Sequence, residues 1–105
     1  MQTSNMDFEE LISLVTGWAI DRDLMHKENA NNQMLKVFEE VEETSEALAI
    51  DDKAGVIDGI GDAFVTLIIL SKQLGLHPTE CLQAAWDEIK DRTGKTENGI
   101  FIKND

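Results

Sequence analysis

Between about Lys53 and Leu74 the chain is apolar around nearly the whole circumference of a helix, and this segment limits the possible folds more than any other. Val56, Ile57, Ile60, Phe64, Val65, Leu67, Ile68, Ile69 and Leu70 leave little polar surface to face water. Such a helix needs apolar partners on every side. A chain of 105 residues makes one domain with few helices to supply them, so the pattern predicts a central helix whose cover is completed by further copies of the chain. The longest unbroken apolar stretch, Ala63 to Leu70, is too short to span a bilayer and follows Asp58 and Asp62, so no membrane association is expected.

Three more helical segments surround it. The first runs from about Met6 to Asp23, with Asn5 as a plausible N-cap and Phe8, Leu11, Ile12, Val15, Trp18 and Ala19 at helical spacing. An Asn-rich polar stretch, Lys27 to Asn32, connects it to a second helix from about Asn32 to Ile50. There Met34, Phe38, Val41, Ser45 and Leu48 share one face, while Gln33, Lys36, Glu40 and Glu43 share another. Asp51 or Asp52 can cap the third helix and Gly75 can end it. Pro78 opens a fourth, to about Arg92, striped with Leu82, Ala85, Trp86 and Ile89 and stopped by Gly94. In the tail, Lys95 to Asp105, the pair Asn98-Gly99 precedes Ile100-Phe101-Ile102, which predicts a small hairpin or an extended arm. The expected fold is all-α: one domain over residues 1–105, a four-helix-bundle-like subunit that oligomerises, with a short C-terminal arm or hairpin.

The formal net charge is -12, which removes the basic footprint that binding to nucleic acid phosphates requires. Cys81 is the only cysteine, so no internal disulfide can form, and its neighbours Leu82, Ala84 and Ala85 suggest a core thiol in a reducing cytoplasm.

The acids are unevenly placed. Glu39, Glu40, Glu42 and Glu43 fall within five residues, and like charges at such spacing repel on a helix. Taken alone, such a run reads as a solvated face. Asp58 and Asp62 change the weighing, because they lie one turn apart in the most apolar helix, where an unpaired carboxylate is costly. Nine Lys and Arg cannot pair 21 acids. Two helices presenting carboxylates toward each other can instead hold a hard cation, and oxygen donors select magnesium, manganese or calcium over zinc. Lys36, Arg92, Lys95 and Lys103 read singly as dipole complements or solubilising charges. Beside a metal they can hold phosphate oxygens.

From about Trp18 to Lys103 the chain resembles the MazG-like all-α nucleotide pyrophosphohydrolases, in their short single-domain form. The resemblance rests on four stretches in order: Trp18-Ala19-Ile20-Asp21-Arg22; Gln33 and Lys36 leading into Glu39-Glu40-Val41-Glu42-Glu43; Asp58-Gly59-Ile60-Gly61-Asp62; and Glu88 to Lys95 followed by Asn98 to Lys103. The wider superfamily carries Glu-x-x-Asp in the third stretch, and that Glu falls at Gly59 here. The resemblance implies hydrolysis of a nucleoside triphosphate, NTP or dNTP, to monophosphate and pyrophosphate, with magnesium as cofactor and manganese as a substitute. It implies dimers or tetramers. By carry-over, Glu40, Glu43 and Asp62 ligate the metal, with Asp58 a further candidate, and Glu39 orients or deprotonates the attacking water. Lys36, Arg92, Lys95 and Lys103 would hold the triphosphate. Gln33 and Trp18 are nucleoside-side candidates, Trp18 being equally suited to a core, and Trp86 is assigned to packing. Two rival readings are a non-catalytic acidic helical module that binds a protein partner, and a related enzyme cleaving another diphosphate bond, such as that of phosphoribosyl-ATP.

Overall fold

The computed structural model describes residues 5–104. Helix α1 (Phe8–Asp21) leads through a 3-10 turn (Lys27–Asn29) to α2 (Ala30–Ala49), α3 (Lys53–Gln73) and α4 (Pro78–Ile89). A two-stranded antiparallel hairpin follows, β1 (Gly94–Glu97) and β2 (Ile100–Lys103). The chain is mostly helical, as its residue spacing predicts.

Local chemistry sets the element ends. Asp7, not Asn5, caps α1: its carboxylate accepts from the Glu10 N–H at 2.8 Å, and Glu10 reaches back to the Asp7 N–H. Asp52 caps α3 by accepting from the Gly55 N–H at 3.0 Å. Gly75, at φ 75°, ends α3. Helix α4 stops at Ile89, before the expected Arg92, and Gly94 begins β1 instead of ending the helix. Asn98 and Gly99, at φ 53° and 76°, make the tight turn that pairs Glu97 with Ile100 and Gly94 with Lys103.

The core lies between α2 and α3, and α2 does not bury the face its sequence suggests. Val37, Glu40, Thr44 and Ala47 turn toward α3, while Phe38, Val41 and Leu48 remain exposed. Small residues along the seam explain the choice. A Cβ built on Gly59 would lie 3.0 Å from Thr44 Cβ and 3.1 Å from Thr44 Cα, and one on Gly55 would lie 3.0 Å from Ala47 Cβ. Those pairs let the two backbones approach closely, which side chains the size of Phe38 or Leu48 would prevent. Gly59→Ala is therefore expected to destabilise the protein by about 1–3 kcal/mol, because the clash involves backbone that no rotamer change relieves. Urea melts of the variant, read by circular dichroism, check this; an unchanged midpoint would contradict the close approach.

Helix α1 packs on α3 through Ile12 and Ala19, which are fully enclosed, and Phe8 meets Phe64 edge-on with ring centroids 6.3 Å apart. Helix α4 is tied down at its start. His77 Nε2 lies 3.1 Å from Glu9, the Thr79 hydroxyl donates to the same carboxylate, and Lys72 Nζ sits 3.0 Å from His77 Nδ1. The hydrogen bonds from Thr79 and His77 hold the Glu9 carboxyl below its ordinary range. Beyond this anchor, every α4 residue from Thr79 to Ile89 is exposed, including Leu82, Trp86 and Ile89. Cys81 is likewise exposed, not a core thiol: among the described residues its neighbours on α4 are exposed as well and give it no cover.

Helix α3 is also only half covered. Gly59, Thr66, Ile68, Ile69 and Gln73 are buried, but Ile57, Ile60, Phe64 and Leu67 face outward. By length and composition alone α3 could cross a membrane, with a mean hydropathy of 1.7 over its most apolar window. It carries Asp58 and Asp62, and an aspartate at a bilayer centre costs about 3 kcal/mol. The chain exposes 8175 Å², where a compact monomer of its mass would expose about 5,900 Å². Its radius of gyration is 16.3 Å, against about 13 Å for a compact domain of this length.

Candidate functional site: a groove with a carboxylate end and an amide end

One side of α3 carries Asp62, Thr66 and Gln73, with the apolar Ile69 between the last two, in steps of four, three and four that keep them in line. The matching side of α2 carries Gln33, Lys36 and Glu40 at the same helical spacing. Between them runs an open groove of about 550 Å³, closed at its sides by Trp18 and Leu24 and at the start of α2 by Asn29 and Asn32.

Glu40 dominates one end. Its residue is 8% exposed, and its Oε2 is enclosed without a hydrogen-bond partner among the described residues. Burial pushes its carboxyl above the ordinary range. Hydrogen bonding to Glu43 and repulsion from Glu43 and Asp62 push the same way, while Lys36 opposes them. Lys36 Nζ lies 3.1 Å from Glu39 Oε1 and 3.8 Å from Glu40 Oε1, and the hydrogen bond to Glu39 chiefly raises its pKa. A single lysine thus serves a cluster of several negative charges, and one carboxylate oxygen remains unsatisfied.

The other end is lined by amides. Gln33 Nε2 donates to the Thr66 carbonyl at 3.1 Å, bridging α2 and α3. Gln73 Nε2 donates to the Leu24 carbonyl at 2.8 Å, holding the loop after α1 against α3. Trp18 is half exposed, and the Arg22 guanidinium covers one face of its ring at 4.1 Å from the centroid.

Of the residues singled out from sequence, Trp18, Gln33, Lys36, Glu40 and Asp62 line this one groove, with Glu39 and Glu43 beside Glu40 on α2. Asp58 is exposed and outside the groove lining. The three cations of the C-terminal region also lie outside the groove lining: half-buried Arg92 pairs with Glu88 at 2.7 Å, exposed Lys95 pairs with Glu97 at 2.8 Å, and Lys103 ends β2. Position 59, where the wider pattern carries a glutamate, faces Thr44 in the helix seam and has no room for a side chain. Among the described residues, no three carboxylate, imidazole or thiolate side chains converge closely enough to hold one ion. Sequence reading passed over Asn29, Asn32 and Gln73 as groove residues. For Gln73 a signal existed, because it lies three turns after Asp62 on the same side of α3.

No family model matches the chain, and no solved structure matches it. The chain is similar to a protein of Haemophilus phage HP1 described as an uncharacterized 18.2 kDa protein in the rep-hol intergenic region, with 36% identity over 67 residues. The match takes in 64% of this chain and 41% of the phage protein, so the chain spans less than half the length of the relative it matches.

Proposed function

We propose that the chain is a MazG-like nucleotide pyrophosphohydrolase that uses magnesium to convert a nucleoside triphosphate to its monophosphate and pyrophosphate. The observation that carries this reading is Glu40: a buried carboxylate oxygen with no partner among the described residues, in a groove shared with Asp62 and Lys36. A donor set made only of carboxylate oxygens suits magnesium or manganese, and the orphaned oxygen is one that a cation would satisfy. Glu40, Asp62 and Glu43 are the residues that would hold it, with Asp58 left in a secondary role by its exposure. When bound, the ion supplies charge stabilisation at the phosphates and a more acidic water. Glu39, on the solvent side of Glu40, is suited to orient that water or take its proton. Lys36 offers its ammonium to phosphate oxygens, and Trp18 and Gln33 border the space left for the nucleoside.

Assembly belongs to the same proposal. The exposed apolar residues of α2, α3 and α4, and the excess of exposed area over a compact monomer, support a homo-oligomer. Arg92, Lys95 and Lys103 then meet a triphosphate by delivery from a neighbouring copy. A lone free thiol accords with a cytoplasmic location. The rival reading, an acidic helical module without catalysis, draws on the lack of a three-carboxylate convergence within the described residues.

Product analysis separates these readings. Incubation with magnesium and a panel of NTPs and dNTPs is expected to yield monophosphate and pyrophosphate in one step, and chelation is expected to stop it. Diphosphate and orthophosphate as products would overturn the reaction assigned. No turnover of any nucleotide would favour the binding module.

A further inference from the structure

The function proposed above leaves one buried polar group unused. Gln73 is 6% exposed, and its Oε1 is enclosed with no hydrogen-bond partner among the described residues. The orientation of its amide is not free. Nε2 donates to the Leu24 carbonyl at 2.8 Å, and a flipped amide would set oxygen against oxygen there. Oε1 is therefore an acceptor in want of a donor, and it belongs to a residue that lines the same groove as Glu40 and Asp62.

Gln73 lies eleven positions after Asp62 on α3, about 16 Å along the helix axis. The groove is thus charged at one end and neutral at the other, where Leu24 and Ile69 give apolar flanks to the amide. That polarity matches a nucleotide laid lengthwise, phosphates at the carboxylates and base at the amide. Resting on the nucleotide-hydrolase reading, we infer that Gln73 reads the nucleobase and selects bases bearing an exocyclic amine, as cytosine and adenine do. The amine N–H would donate to Oε1. A base with a carbonyl at the corresponding carbon would oppose acceptor to acceptor and leave both unsatisfied.

Two substrate pairs isolate that single group: dCTP against dUTP, and dATP against dITP. With magnesium, the wild-type protein is expected to favour the amine member of each pair by about tenfold or more in kcat/KM. Gln73→Met, close in size but without the acceptor, is expected to bring both ratios toward one, with the amine substrates losing more rate than their partners beyond any general loss from freeing the Leu24 carbonyl. A purely structural Gln73 would instead lower all four rates together and leave the ratios in place. Equal rates within each wild-type pair, or ratios that survive the substitution, would overturn the inference. Calorimetric affinities for dCTP and dUTP give a second readout. If no nucleotide is hydrolysed, the reaction assignment fails, and the affinities still decide: tighter dCTP supports base reading, while equal affinity or no binding rejects it. Should Gln73→Met not fold, a crystal structure of the wild-type protein with dCMP decides in its place, by the presence or absence of the cytosine amine within hydrogen-bond distance of Oε1.

Discussion

Glu40→Gln is expected to reduce hydrolysis by about two to three orders of magnitude while making the metal-free protein more stable. Both effects follow from one carboxylate. Its burial, its contact with Glu43 and the charge on Asp62 all disfavour the ionised form. An amide of nearly the same shape removes that charge, but it is a poor ligand for a hard cation. The sign of the pH dependence follows. An acid whose pKa is raised by folding contributes stability below its unfolded value and loses it as pH rises through the folded value. Metal-free wild type should therefore lose stability between acid and neutral pH at this position, and the variant should lack that component. The melting temperature of the variant at neutral pH should rise by roughly 4–8 °C for each kcal/mol relieved in a domain of this size. Magnesium should raise the wild-type melting temperature by mass action and shift the variant much less. Retained hydrolysis with equal magnesium shifts in both proteins would remove Glu40 from any metal site.

Leu48→Lys is expected to break the assembly and lower the melting temperature sharply. Leu48 is 65% exposed in the single chain and lines an apolar trough on the outer side of the α2–α3 pair with Val41, Ile60, Phe64 and Leu67. For a monomer, a charge at so exposed a position would change stability by no more than about 0.5 kcal/mol. If a second copy covers the trough, the same substitution buries an unpaired ammonium and costs several kcal/mol, well beyond a surface effect. Sedimentation velocity and thermal melts on both proteins distinguish the cases. A wild-type protein that sediments as a monomer at micromolar concentration, or a variant that assembles and melts like wild type, would contradict the homo-oligomer.

Residue spacing and end chemistry were enough to locate the helices, because each depends on neighbours in the chain. The turn at Asn98-Gly99, the cap at Asp52, the stop at Gly75 and the start at Pro78 are all set within a few residues. The alignment of Gln33, Lys36 and Glu40 on one side of α2 is equally local, as is the spacing of Asp62 along α3, so the sequence carried much of the groove. Which face of α2 meets α3 was not local. It was decided by Gly59 against Thr44 and Gly55 against Ala47, pairs distant in sequence whose small size permits a close approach that larger apolar residues forbid. For the same reason the Phe38, Val41 and Leu48 face stayed outside. Gln73 needed the tertiary fold most. Nothing near it in the chain reveals that its amide is locked by the Leu24 carbonyl, 49 residues earlier, or that its oxygen is enclosed with no donor. Helical periodicity places a side chain on a face, but only the packed helices determine what that face meets.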